Sequence, residues 1–285
     1  MDGNHLFDRI RTRMDRMGGG TRAVAEFAVA RPEDVALLPA AKVAAQLGVS
    51  ESTVTRFAVL LGYDGYPAFR RELQNDLRRQ LAPPQRLQLH SGAHRGHAAA
   101  RGVFQQDVEN ILRTERNLTA SDLEQCCQLV SGAKRIYIVG LRSSFGLAHI
   151  LYFQLHQMLG NAVLVDGARG EALDQIRGVG VQDLVILVSF PRHVALALAA
   201  LRYARARHAK SIAITDGPLS PAATDVDLLL RVNTSVMDVY TSLVGGVSLI
   251  NAICSEVALR NRKRVTENLA AAEEALKVAG THAPG

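Results

Sequence analysis

The sequence predicts an all-α N-terminal segment joined to a three-layer α/β sandwich built on a five-stranded parallel sheet. Three observations carry that prediction. From residue 5 to about residue 80, apolar residues recur at helical spacing with almost no alternation of period two. After Gly132 the pattern changes to short, continuous aliphatic runs separated by helical stretches, as strands buried on both faces require. Between the two, Ala82 to Gly102 holds Pro83-Pro84, glycines, histidines and alanines, a composition that reads as a linker or hinge. The expected boundaries are a helical domain over 1–81, a linker over 82–102, an α/β domain over 103–265 and a helical or frayed tail over 266–285.

In the helical domain, Leu6, Ile10, Met14 and Met17 mark an amphipathic stretch that Gly18-Gly19-Gly20 breaks. Thr21 begins a second helix through Ala30. Pro32 opens a third, with Glu33 and Asp34 in the first turn, where acids suit the positive helix end. Two helices follow the linker, at about 103–118 and 121–131, the second starting at Ser121 with Glu124 at capping-box spacing. Strands are expected at Ile136 to Val139, Val163 to Val165, Leu184 to Val188, Ile212 to Ile214 and Leu228 to Val232. Helices at about 145–159, 169–176 and 193–207 lie between the first four. A long helix from about Met237 to Arg262 follows the last strand, and its basic end (Arg260, Arg262, Lys263, Arg264) suits the C-terminal dipole. The Ala-rich tail after Val265 is expected to be helical, then frayed from Gly280.

Composition narrows the function classes. With 285 residues, 48% hydrophobic and 21% charged, the chain is neither disordered nor collagenous nor a disulfide scaffold. Its longest apolar runs, such as Val194 to Leu201, reach about eight residues, against roughly 18 to 20 for a membrane span. The N-terminus MDGNHLFDRIRTRM has no apolar core of a signal peptide, so the expected compartment is the cytoplasm, with no membrane partner. Cys126 and Cys127 are adjacent and have no zinc spacing. His90, His94 and His97 are loosely metal-like, but Gly92 and Gly96 break the helix that would align them. No metal or cofactor is expected. The net charge is +6, and its densest excess falls in residues 52–90, where Arg56, Arg70, Arg71, Arg78, Arg79 and Arg86 face three acids.

Ala40 to Val59 fits a helix-turn-helix. Such a unit needs small residues where two helices cross, glycine at the turn and apolar residues where the second helix packs on the first. Val43, Ala44, Leu47, Gly48, Val49, Val54 and Phe57 occupy those positions. Ser50 follows the turn as a cap, with Thr53 three residues on, and the exposed face carries Ser52, Thr55 and Arg56. Short hydroxyls and one arginine suit phosphates and base edges in the major groove. A compact two-helix hairpin is the bland alternative.

The run Leu47-Gly48-Val49-Ser50-Glu51-Ser52-Thr53-Val54-Thr55-Arg56-Phe57, followed by Leu61-Gly62-Tyr63-Asp64-Gly65-Tyr66 and Phe69-Arg70, resembles the N-terminal domain of RpiR/MurR-type bacterial transcriptional regulators. The resemblance covers essentially the whole chain, because that family joins this domain to a sugar isomerase (SIS) domain of α/β type. Val59 and Leu60 stand where family members often carry a basic pair. The resemblance therefore implies that phosphate affinity leans on Arg70, Arg71 and a dimer.

In an open parallel sheet a ligand sits beyond the carboxyl ends of the strands. After the first strand comes Gly140-Leu141-Arg142-Ser143-Ser144-Phe145, where a glycine turn, two hydroxyls and a helix start could cradle an anion, or form an ordinary cap. After the third stands Ser189-Phe190-Pro191-Arg192-His193. The resemblance implies a second serine-rich phosphate turn there. This chain keeps only Ser189 of it, while Arg192 offers a bidentate charge that suits phosphate or carboxylate. Thr215 and Asp216 end the fourth strand, where Asp216 either touches ligand or caps the loop of Ser220.

Glu171, Glu256 and His193 are the available acid and base candidates for an aldose–ketose isomerase, the alternative function; none sits in a motif that forces a catalytic role. The favoured expectation is a regulator and not an enzyme, pairing as a homodimer or homotetramer on two-fold operator DNA and responding to a sugar phosphate or organic acid.

Overall fold

The computed structural model describes residues 5–81, 83–89, 96–167, 171–218, 220–235 and 240–279. The chain divides into two compact units, Met1–Ala99 with Ser235–Thr241, and Ala100–Thr234 with Ser242–Gly285.

The N-terminal stretch of the first unit is built of helices: α1 His5–Met14, α2 Gly19–Ala30, α3 Pro32–Leu37, α4 Ala40–Leu47, α5 Glu51–Leu60, α6 Tyr66–Gln80 and α7 Pro83–Leu89. Its core joins Ile10, Val24, Ala28, Val35, Val43, Val54, Phe57, Leu61, Phe69 and Leu73, all fully buried. Phe57 and Phe69 meet edge to face at 5.1 Å, which ties α5 to α6. The Tyr66 hydroxyl lies within donating distance of the Val35 and Leu38 carbonyls, 2.9 and 3.0 Å, so the start of α6 satisfies the end of α3. Burial pushes the Tyr66 phenol up to about 12, with Arg70 opposing.

In the stretch expected to be a linker, Pro83–Leu89 is helical and α8 begins at His97. Proline is favoured in a first helical turn, so Pro83-Pro84 starts a helix where composition suggests a break. His90 and His94 lie outside the described residues.

The second unit contains α8 His97–Asn117, α9 Ala120–Gly132, β1 Ile136–Val139, α10 Phe145–Leu159, β2 Ala162–Val165, α11 Ala172–Ile176, β3 Leu184–Val188, α12 Ala195–Ala206, β4 Lys210–Thr215, β5 Leu228–Arg231, α13 Val244–Arg260 and α14 Arg262–Val278. The five strands are parallel in the order β2-β1-β3-β4-β5, with Ile136 opposite both Ala162 and Leu184. Side chains alternate between the faces. Ile136, Ile138, Ile186 and Ile212 join the layer of α9, α10 and α13, whereas Tyr137, Val139, Val185 and Leu187 join that of α11 and α12.

Several boundaries differ from expectation. The capping box of α9 is Thr119 with Asp122, two residues before Ser121 and Glu124. Leu118 and Leu123 flank it and pack on the core as a hydrophobic staple, which fixes the earlier start. The helix after β5 begins at Val244; the Ser242 hydroxyl accepts from the Val244 N–H there, and Met237 lies outside the described residues. The same helix stops at Arg260, and Asn261 separates it from α14. The tail is thus a packed element. Val265 enters the core, and Arg264 Nη2 and Asn268 Nδ2 donate to the Leu159 and Met158 carbonyls at 2.5 and 2.9 Å, capping the end of α10.

Candidate functional site

Two sites emerge, one in each unit. In the first, α4 ends at Gly48, whose left-handed φ of 63° reverses the chain into α5. Ser50 caps α5: its hydroxyl accepts from the Thr53 N–H at 3.2 Å and shares hydrogen bonds of 2.8 Å with the Ser52 and Thr53 hydroxyls. Thr53 turns half inward against α2, where a Cβ on Gly20 would come within 3.1 Å of its methyl. Val54, Phe57 and Ala58 are buried. The opposite face therefore carries Ser52, Thr55, Arg56 and Val59 at helical spacing, all exposed. Arg13 Nη1 donates to the Leu60 carbonyl at 2.6 Å and holds the far end of α5.

The basic segment contributes less than its composition suggests. Arg86 is buried, and Arg70 is half-buried with its Nε atom enclosed and unpartnered beside Tyr66. The Arg78 and Arg79 side chains lie outside the described residues. Arg56 on α5 and Arg71 on α6 are exposed.

The second site follows from topology. Because β2 and β3 lie on opposite sides of β1, the chain leaves β1 and β3 in opposite directions and opens a crevice at their carboxyl ends. On one side Gly140 leads into a single turn of tight helix at Arg142–Ser144 and then α10. A Cβ on Gly140 would come within 2.3 Å of the Ala148 Cβ and 3.0 Å of the Ser144 carbonyl, so only glycine permits this turn. Ser144 makes no side-chain cap. Arg142 and Ser143 are exposed, and Ser144 is buried at the helix entrance.

On the other side, Ser189 continues the ladder by donating its N–H to the Ile214 carbonyl at 3.1 Å. Its hydroxyl meets His193 Nδ1 at 2.8 Å, His193 Nε2 meets the Ser220 hydroxyl at 3.2 Å, and Ser220 meets Thr215 Oγ1 at 2.9 Å. Thr215 Oγ1 also reaches Asp216 Oδ1 at 3.1 Å. The sequence offers His193 as an acid or base candidate. The structure makes it the hub that joins the β3 turn to the β4 loop, and Asp216 belongs to that loop's own bonding. Arg142 and Arg192 both adopt positive φ, 54° and 69°. The spacing Ser-x-x-x-His was the available signal for the hub; nothing in the sequence foretold the backbone strain.

The acid and base candidates do not converge. Glu256 accepts from Arg260 Nε at 2.6 Å, in a cluster with Glu124 on the outside of α13 and α9. Glu171 is exposed ahead of α11. An open apolar groove of about 500 Å³, lined by Phe153, Met158, Cys254, Leu269 and Leu276, flanks the C-terminal half of α10 and so lies at the other end of the sheet. Among the described residues no cluster of His, Cys, Asp or Glu could hold a metal, and no helix is long and apolar enough to cross a membrane.

The described geometry agrees with comparisons to known proteins. A model of the SIS domain matches residues 129–275, and a model of the helix-turn-helix domain, rpiR family, matches residues 4–80. A bifunctional protein glk of Paraburkholderia xenovorans is 29% identical over 77% of this chain, which spans 34% of that relative. The HTH-type transcriptional regulator HexR of Escherichia coli is 23% identical, covering 96% of this chain and 94% of its own. The Vibrio vulnificus NanR protein, solved in complex with ManNAc-6P, shares the fold with a TM-score of 0.60 and 20% identity, over 96% of this chain and 99% of that one.

The fold is a helix-turn-helix unit followed by an α/β unit on a parallel sheet. This chain belongs to the SIS domain family, and its helical unit matches the helix-turn-helix domain of the rpiR family.

Proposed function

We propose that the chain reads operator DNA through the Ser52, Thr55 and Arg56 face of α5, with Ser50 and Thr53 shaping that helix's first turn and Arg70 lending charge from behind. In the same proposal the crevice between the β1 and β3 turns senses a small anion, a sugar phosphate or a related organic acid. Arg142, Ser143, Ser144, Ser189 and Arg192 line it, and Asp216 borders it. The chain acts in the cytoplasm as a symmetric pair, and it senses its ligand without turning it over.

The observation that carries this reading is the placement of two arginines and two serine turns at the switch point of the sheet, in a chain that also presents a polar, basic helix face. The NanR complex with a sugar phosphate supports the ligand class. Gel shift with the upstream intergenic DNA tests the first half. The chain binds, and Arg56→Ala weakens binding; mutant binding that equals the parent and ignores salt overturns it.

A further inference from the structure

Helix α8 is built with its polarity reversed. Asp107, Asn110, Thr114 and Asn117 recur at spacings of three and four and face their own domain. Ser242 Oγ donates to Asp107 Oδ1 at 2.5 Å, Asn233 Nδ2 to Asn110 Oδ1 at 2.9 Å, the Asn233 N–H to Thr114 Oγ1 at 2.9 Å, and Arg231 Nη2 to Asn117 Oδ1 at 2.6 Å. Asn110 and Thr114 are buried to 0% and 3% exposure. The opposite face is apolar and open, with Phe104 73%, Val108 56% and Leu112 49% exposed. An amphipathic helix normally buries its apolar stripe and leaves the polar one to water. A helix that anchors itself by amides and hydroxyls while showing phenylalanine to solvent is arranged for a partner.

The ends of the stripe say which partner. Arg101, Phe104, Val108, Ile111 and Glu115 repeat at the three-four spacing of a two-helix seam, with a cation at one end and an anion at the other, both exposed. Such a face is complementary to itself when reversed. Parallel pairing would set Arg101 on Arg101 and Glu115 on Glu115, which like-charge repulsion disfavours.

We infer that two copies of the chain meet here, their α8 helices antiparallel about a two-fold axis at Val108. Phe104 of one copy packs on Leu112 of the other, and Arg101 pairs with Glu115 at both ends. The contact is isologous, as a closed dimer requires. The inference gives a surface to the symmetric pair proposed above and concerns neither DNA nor ligand.

The test uses the full chain, whose own thiols, Cys126, Cys127 and Cys254, are all buried. Val108→Cys places two thiols on the axis, and mild oxidation yields a covalent dimer; Leu112→Cys, facing the partner's Phe104, yields far less. Sedimentation equilibrium reads the charges. Arg101→Glu raises the dimer dissociation constant about tenfold or more, and adding Glu115→Arg restores it. These positions are exposed in the single chain, so each variant folds, read as a far-UV circular dichroism spectrum that matches the parent. A monomeric parent chain, equal crosslinking by both cysteine variants, or a dimer indifferent to Arg101→Glu overturns the inference. In the last case DNA binding that persists leaves the regulator reading intact and moves the interface elsewhere.

Discussion

Arg142 and Arg192 both hold left-handed backbone, on the turns that leave the neighbouring strands β1 and β3. A non-glycine residue there costs on the order of 1–2 kcal/mol, and two such residues at one crevice mark a place where side-chain chemistry outweighs backbone comfort. Arg142→Gly and Arg192→Gly remove the strain together with the charge. Denaturant unfolding of either variant stays within about 1 kcal/mol of the parent, because the relief offsets glycine's greater unfolded entropy. Calorimetric affinity for the sugar phosphate proposed as ligand falls tenfold or more, since a hydrogen bond to a charged group contributes about 1.5–3 kcal/mol.

Gly140 makes the opposite case. Its missing Cβ is the space in which Ala148 and the Ser144 carbonyl sit. Gly140→Ala forces the first turn of α10 off the strand and destabilises the α/β domain by about 1–3 kcal/mol in urea unfolding. The neighbouring Gly146, whose Cβ would meet nothing, tolerates alanine with little change.

Asp227 supplies a pH dependence of stability. Partial burial raises its carboxyl, but bonds from Lys210 Nζ at 2.7 Å and from the Ser211 N–H and hydroxyl outweigh burial and hold it below the usual range. A depressed carboxyl stabilises the fold above its unfolded value, near pH 4, and loses that contribution as pH falls through the folded one. Asp227→Asn is therefore less stable than the parent at pH 7, by about 1 kcal/mol or less after solvent screening. In thermal unfolding the gap between the two closes as pH is lowered towards 3.

Val59 and Leu60 expose apolar surface at the end of α5, 54% and 44%. Val59→Lys adds a cation on the same face as Arg56. Fluorescence anisotropy on the operator gives tighter binding and a salt slope steeper by about one, while Arg56→Ala makes it shallower by about one.

The two-part fold was legible because it rests on periodicity: short aliphatic runs such as Leu184 to Val188, separated by helical stretches, fit doubly buried strands, and Gly48 between two apolar helices fits a turn. The β1 turn was legible for the same reason, since a glycine directly after a strand announces a close approach. What stayed hidden depends on long-range contacts. Asn261 and Asn268 stop one helix and fasten the next through carbonyls more than a hundred residues away or buried in the same turn, so the packed C-terminal helix looked like a tail. The cap expected at Ser121 falls at Thr119, where Leu118 and Leu123 pack on the core around the helix start. The enclosure of the Arg70 Nε likewise depends on packing that no local spacing announces.

The central claim is that occupancy of the β1–β3 crevice changes the grip of α5 on DNA. Anisotropy of the full chain on its upstream intergenic DNA, titrated with a panel of hexose phosphates and phosphorylated sugar acids, measures that coupling. The account predicts that at least one of them shifts the DNA dissociation constant by roughly 5- to 150-fold, in either direction, and that Arg192→Gly abolishes the shift while leaving unliganded DNA binding unchanged. A DNA affinity that no member of the panel moves, or a shift that survives in Arg192→Gly, contradicts it.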